Sequence, residues 1–132
     1  MNKVVIIAGS KSDETHVTKI VTGLKEEIQK SFEYVVIYAS AHREPLTVLK
    51  ALEDHKGAIF ITVAGRSNAL SGVVSANCND VVIACPPFAD LSAYMVDIHS
   101  TLRMPSGVPV LTVVDPLNCA RAVARILKRQ GG

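Results

Sequence analysis

Residues 4–13 read VVIIAGSKSD, an unbroken apolar run that ends at a glycine and passes into a short polar loop. The run lacks the period-two alternation of a half-exposed strand, so the strand it predicts is covered on both faces. The next segment has helical spacing: Val17, Ile20, Val21, Leu24 and Ile28 fall on one stripe. A doubly covered strand feeding an amphipathic helix is the building unit of a parallel α/β sheet.

The unit recurs along the chain. YVVIYA (34–39), AIFITVA (58–64), DVVIAC (80–85) and VPVLTVV (108–114) are likewise short, apolar and rich in Val and Ile. Leu46, Leu49 and Leu52 open a second helical stripe. The last helix is announced by DPLNCARAVARILKR, with Asp115 suited to the N-cap and Pro116 to the first helical position. Lys128 and Arg129 near its end favour the negative pole of the helix dipole. Strand and helix alternate five times, and crossovers between parallel strands are right-handed. The expected fold is a doubly wound, flavodoxin-like three-layer α/β sandwich around a five-stranded parallel sheet. No linker, low-complexity tract or further repeat interrupts residues 1–132, which read as a single domain.

Composition narrows the function classes. Of 132 residues, 48% are hydrophobic and 20% charged, which suits a globular chain with an independent core. The net charge of +2, with no dense basic run, points away from nucleic-acid and membrane partners. MNKVVIIAGS has too short an apolar core for a signal peptide, and no apolar segment approaches the roughly 20 residues of a membrane span. Cys78, Cys85 and Cys119 lack metal-type spacing, so reduced thiols in a cytoplasmic protein are expected.

Ligands of an open parallel sheet bind beyond the carboxyl ends of its strands. The loops there are GSKSD (9–13), SAHRE (40–44), GRSNALSG (65–72) and CPPFAD (85–90), joined by DPLN after the fifth strand. In the first, Gly9 permits close backbone approach, and Ser10 and Ser12 place hydroxyls beside unpaired helix N–H groups, as a phosphate site requires. Asp13 suits sugar hydroxyls. Equally, Ser12 or Asp13 could simply cap the helix.

In SAHRE, Arg43 can make a bidentate phosphate contact. His42 is the one histidine of four at a strand's carboxyl end, hence the best general acid/base candidate. The bland alternative is a surface ion pair of Arg43 with Glu44 beside a passive His42. GRSNALSG could wrap a ligand with backbone donors, Ser67 and Asn68, or be only a glycine-rich turn. Cys85 reads as a small buried residue, with no histidine–carboxylate partner visible nearby. His16, His55 and His99 read as structural. These residues imply a phosphorylated small molecule held beside a lone histidine. No metal cluster, nicotinamide fingerprint or Ser–His–Asp set appears, which favours proton-transfer chemistry without a protein-bound cofactor.

Taken in order, GSKSD, SAHREP, AGRSNALSG, CPP and LRMPSGVPVLTV closely resemble the phosphoribosylaminoimidazole carboxylase family of purine biosynthesis. The resemblance runs from VVIIAGS to NCARAVARIL and implies an enzyme with neither metal nor biotin. The third loop separates two branches. Mutases, which move a carboxylate from the exocyclic nitrogen of N-carboxyaminoimidazole ribonucleotide to the ring carbon, carry a loop resembling AGAGGAAHLPG, with a histidine inside it. Direct carboxylases add carbon dioxide to aminoimidazole ribonucleotide and carry AGRSN, as here.

Carried over residue by residue, the resemblance assigns Ser10, Ser12 and Arg43 to the phosphate and Asp13 to the ribose. It sets Ser40, Ala41 and His42 around the aminoimidazole, with His42 moving the proton. Gly65, Arg66, Ser67, Asn68, Leu70, Ser71 and Gly72 would form the loop near the carboxylate or carbon dioxide. Arg43 stands where direct carboxylases usually have lysine, a feature shared with the mutases. FADLSAYMVDIHSTL matches the family only loosely, with Asp90 and Asp97 at plausible positions. The chain stops soon after RILKRQGG, where family members continue into a helix that packs on neighbours in an octamer, so a smaller homo-oligomer is expected. The mutase and a non-catalytic nucleotide-binding paralogue are the competing readings.

Overall fold

The computed structural model describes residues 2–130; Met1, Gly131 and Gly132, the ends of the single-domain span, lie outside the described residues. Five strands, β1 (Lys3–Ala8), β2 (Glu33–Tyr38), β3 (Ile59–Val63), β4 (Val82–Ala84) and β5 (Leu111–Thr112), form one parallel sheet in the order β2-β1-β3-β4-β5. Between and after them run α1 (Glu14–Glu27), α2 (Pro45–Asp54), α3 (Leu70–Ala76), α4 (Leu91–Leu102) and α5 (Pro116–Gln130). This is the expected doubly wound, flavodoxin-like architecture.

The central strand shows why its sequence is apolar throughout. Val5 lies opposite Val35 of β2 and Phe60 of β3, so β1 is paired on both edges. Val4, Ile6 and Ala8 pack with Val17, Ile20 and Leu24 of α1 and Val123 and Leu127 of α5. Val5 and Ile7 face the other way, onto Val48 and Leu52 of α2 and Leu70 and Val74 of α3. Every residue from Val4 to Ala8 is 0% exposed. Helices α1 and α5 approach closely at Gly23, where a Cβ would stand 2.8 Å from that of Ala120.

Asp115 caps α5 as expected, its Oδ2 accepting the Asn118 N–H at 2.9 Å, with Pro116 opening the helix. Two sequence expectations need correction. The buried stripe of α2 is Val48, Ala51 and Leu52, whereas Leu46 is 78% and Leu49 38% exposed. With about 100° per residue, Leu46 lies two steps round the helix from Val48, and Leu49 one step the other way. The run at 108–114 yields only the two-residue β5, at the sheet edge with Leu111 exposed. Pro109, which has no N–H to donate, limits how early that strand can pair.

Candidate active site

Strand β1 has β2 on one side and β3 on the other, so the connections β1→β2 and β2→β3 run in opposite directions across the sheet. The loops after these three strands open over a crevice at the carboxyl edge. A cleft of about 540 Å³ occupies that place, a suitable size for a small ligand. It is lined by Ser10, Ser12 and Asp13 from the first loop, Ser40, Ala41, His42 and Arg43 from the second, and Gly65, Arg66, Ser67 and Leu70 from the third. Gly9, Ala64 and Ala69 complete the wall. Asn68, Ser71 and Gly72 are not in the lining; Asn68 and Ser71 are buried behind it. CPPFAD does not line the cleft either. It backs the wall: a Cβ on Gly65 would meet the Pro87 carbonyl oxygen at 3.1 Å.

In the first loop, Ser10 is the capping residue, rather than Ser12 or Asp13. Its backbone is extended, and its Oγ accepts the Ser12 N–H at 3.2 Å while lying 2.8 Å from Ser12 Oγ. A single 3-10 turn, Lys11–Asp13, then leads into α1. The Asp13 side chain makes no cap bond to α1. Burial raises its carboxyl above the usual value, opposed by the nearby His16. A carboxyl without a cap bond at the cleft wall is available to accept from ligand hydroxyls.

The second loop closes on itself. Ser40 Oγ accepts the Arg43 N–H at 3.3 Å, and Glu44 Oε1 accepts the Ser40 N–H at 3.3 Å. The Glu44 N–H donates to the Ser40 carbonyl at 2.7 Å. Ser40 and Glu44 thus form a reciprocal box that turns the chain, and no Arg43–Glu44 ion pair occurs among the described residues. Held between them, His42 and Arg43 are exposed at the cleft. Pro45 then starts α2.

The third loop rests on a buried polar network. Asn68 Nδ2 donates to Ser71 Oγ at 2.8 Å and to Thr101 Oγ1 at 3.0 Å, and its Oδ1 accepts the Ser71 N–H at 3.1 Å. Thr62 Oγ1 and Ser71 Oγ are 2.6 Å apart. Ser100 of α4 accepts the Asn68 N–H at 2.9 Å and donates to the Arg66 carbonyl at 2.8 Å. Arg66 has φ +52°, the sole positive value among the described residues other than glycine. Sequence reasoning misses Ser100 and Thr101, whose only signal along the chain is a hydroxyl pair in a largely apolar helix.

His16 makes a structural contact, and it stands beside Cys85, where no histidine partner was visible along the chain. Its Nε2 is 3.0 Å from the Cys85 carbonyl oxygen and 3.5 Å from Cys85 Sγ. A carbonyl only accepts, so Nε2 carries the hydrogen. The pair does not make Cys85 a nucleophile: the thiol is fully buried, and the adjacent Cys119 thiol, together with burial, pushes its pKa up. Desolvation lowers the His16 pKa from its usual 6.5, outweighing the Cys85 carbonyl and Asp13.

A depressed folded-state pKa means that the unfolded chain takes up the proton first as pH falls through about 6.5, and stability is lost there. The melting temperature of wild type is expected to fall more steeply from pH 7 to pH 5 than that of His16→Gln. Parallel slopes in thermal melts at matched ionic strength would rule His16 out as the cause.

No three His, Cys, Asp or Glu side chains among the described residues gather closely enough to hold a metal ion. None of the described helices is long and apolar enough to cross a membrane.

The chain as a whole is similar to known proteins. A family model described as AIR carboxylase matches residues 3–131. The phosphoribosylaminoimidazole carboxylase of Archaeoglobus fulgidus is 45% identical over 133 residues, covering 98% of this chain and 72% of that protein. The corresponding carboxylase of Treponema denticola is 42% identical, covering 93% and 77%. The crystal structure of Treponema denticola PurE superposes with a TM-score of 0.88 at 40% identity, over 98% of this chain and 82% of that one.

Proposed function

The chain belongs to the AIR carboxylase family, and on that premise we propose how its cleft carries out the reaction. The enzyme converts 5-aminoimidazole ribonucleotide to 4-carboxy-5-aminoimidazole ribonucleotide, reversibly, in purine biosynthesis. The observation that carries the assignment of roles is the joining of three loops around one exposed histidine.

Ser10, Ser12 and Arg43 bind the phosphate, and the N-terminal end of α1 adds its favourable dipole. Asp13 accepts from the ribose hydroxyls. Ser40 and Ala41 flank the aminoimidazole beside His42. Gly65, Arg66, Ser67 and Leu70 meet the carboxylate or carbon dioxide, with Asn68, Ser71 and Gly72 shaping that loop from behind. The exocyclic amine pushes electron density to the ring carbon, which forms a carbon–carbon bond to carbon dioxide. The proton on that carbon then passes to His42 and the ring regains its aromaticity. In reverse, protonated His42 returns the proton to the ring carbon, and carbon dioxide leaves as the carbon–carbon bond breaks. Holding the phosphate remote from the reacting carbon lowers the entropic barrier.

Direct carboxylation, rather than transfer from an N-carboxylated substrate, is favoured because GRSNALSG contains no histidine. The test is decarboxylation of the carboxylated ribonucleotide followed by ultraviolet absorbance, then synthesis from bicarbonate and the unsubstituted ribonucleotide. Turnover in both assays is expected. If synthesis from bicarbonate fails and a third assay, with the N-carboxy substrate, gives product, the chain moves to the mutase branch.

The reading includes a homo-oligomer and a cytoplasmic site of action. Helix α4 leaves Leu91 75%, Met95 60% and Val96 72% exposed, a patch suited to a second copy. Sedimentation is expected to give an oligomer that Val96→Asp dissociates. A wild type that sediments as a monomer would remove the homo-oligomer. The free thiols Cys78, Cys85 and Cys119 suit a reducing compartment.

A further inference from the structure

We propose that Ser100 is a positioning residue for this reaction, its hydroxyl setting the conformation of the loop at residues 65–68. The Oγ accepts the Asn68 N–H at 2.9 Å and donates toward the Arg66 carbonyl at 2.8 Å. Its own helix offers a competing acceptor, the Asp97 carbonyl, at 3.1 Å. The two loop bonds bracket Arg66 and Ser67, both of which face the cleft.

Arg66 needs such a clamp. At φ +52° its backbone lies in the left-handed region, which a side chain makes costly. The Arg66 side chain is exposed and forms no ion pair among the described residues, so it does not hold the backbone there. The backbone bonds to Ser100 do. Without that hydroxyl the Arg66 carbonyl and the Asn68 N–H turn to water, and Arg66 is free to relax.

Ser100 acts on one end of the cleft only. The phosphate residues Ser10, Ser12 and Arg43 come from the loops after β1 and β2, whereas Ser100 holds the loop after β3. Losing its hydroxyl therefore disturbs the carboxylate end and spares the phosphate end. This rests on the proposed assignment of the third loop to the carboxylate or carbon dioxide.

The test compares wild type, Ser100→Ala and Ser100→Thr in steady-state decarboxylation, thermal melts and amide hydrogen exchange. Ser100→Ala is expected to lower kcat by about tenfold or more, with KM within about threefold and the melting temperature little changed. Ser100→Thr, which keeps the hydroxyl, should restore most of kcat. The Asn68 backbone amide should lose protection in Ser100→Ala while amides within α3 and α4 keep theirs. Unchanged kcat, a rise in KM alone, or failure of threonine to rescue would overturn the proposal. Should wild type itself show no turnover, the carboxylase reading falls; the Asn68 amide then decides by itself whether Ser100 holds the loop, retained protection in Ser100→Ala refuting it.

Discussion

Replacing His42 with asparagine is expected to lower kcat for decarboxylation by about 10²–10⁴-fold while leaving KM within about threefold. A ring carbon must gain a proton before carbon dioxide departs, and no other histidine lines the cleft. His16 is turned toward Cys85 on α1's inner side, bonded through Nε2 to a backbone carbonyl. Asp13, the one carboxylate in the lining, has its pKa raised by burial and belongs to the proposed ribose end, away from the reacting carbon. Asparagine preserves polarity and approximate size at an exposed position but does not exchange a proton near neutral pH. The proposed phosphate contacts of Ser10, Ser12 and Arg43 remain, so binding should survive. A rise in KM with kcat unchanged would instead indicate that His42 binds the substrate rather than transfers the proton. Full activity in His42→Asn would end its assignment as acid and base.

The second large effect is on stability. Asn68→Ala is expected to lower the melting temperature by about 10 °C, corresponding to about 3 kcal/mol. The amide makes three bonds, at 2.8, 3.0 and 3.1 Å, in a region where Asn68, Ser71, Thr62 and Thr101 are all buried. Truncation strands the Ser71 N–H and removes a partner from both Ser71 Oγ and Thr101 Oγ1, at positions buried from bulk solvent. A loss of less than about 3 °C in calorimetry would mean that these groups find other partners and that the network is not what anchors the third loop. Activity should fall as well, because the same amide joins the loop to α3 and α4.

Much of this protein can be read along the chain. The unbroken Val and Ile runs identify strands covered on both faces, and the stripe from Val17 to Ile28 identifies the helix that covers one of them. Asp115 and Pro116 mark the start of α5 because capping is a local matter of a few adjacent residues. The three loops that line the cleft were also legible, since a parallel sheet brings all its strand ends to one edge. In SAHRE the serine and glutamate turn out to close the turn, leaving the histidine and arginine at the cleft.

The features that escape a reading of the chain depend on contacts between distant residues. Leu46 and Leu49 look as apolar as Val48 and Leu52, and only the docking of α2 on β1 decides which are buried. His16 and Cys85 are 69 positions apart, and Asn68 and Thr101 are 33 apart. Neither pairing leaves a periodic or local trace, because each arises when whole elements pack together. Local chemistry thus determined the strands, the helices and the edge where the cleft opens. Tertiary packing decided which side chains of the third loop face the cleft, which support it from behind, and that α4 holds it in place.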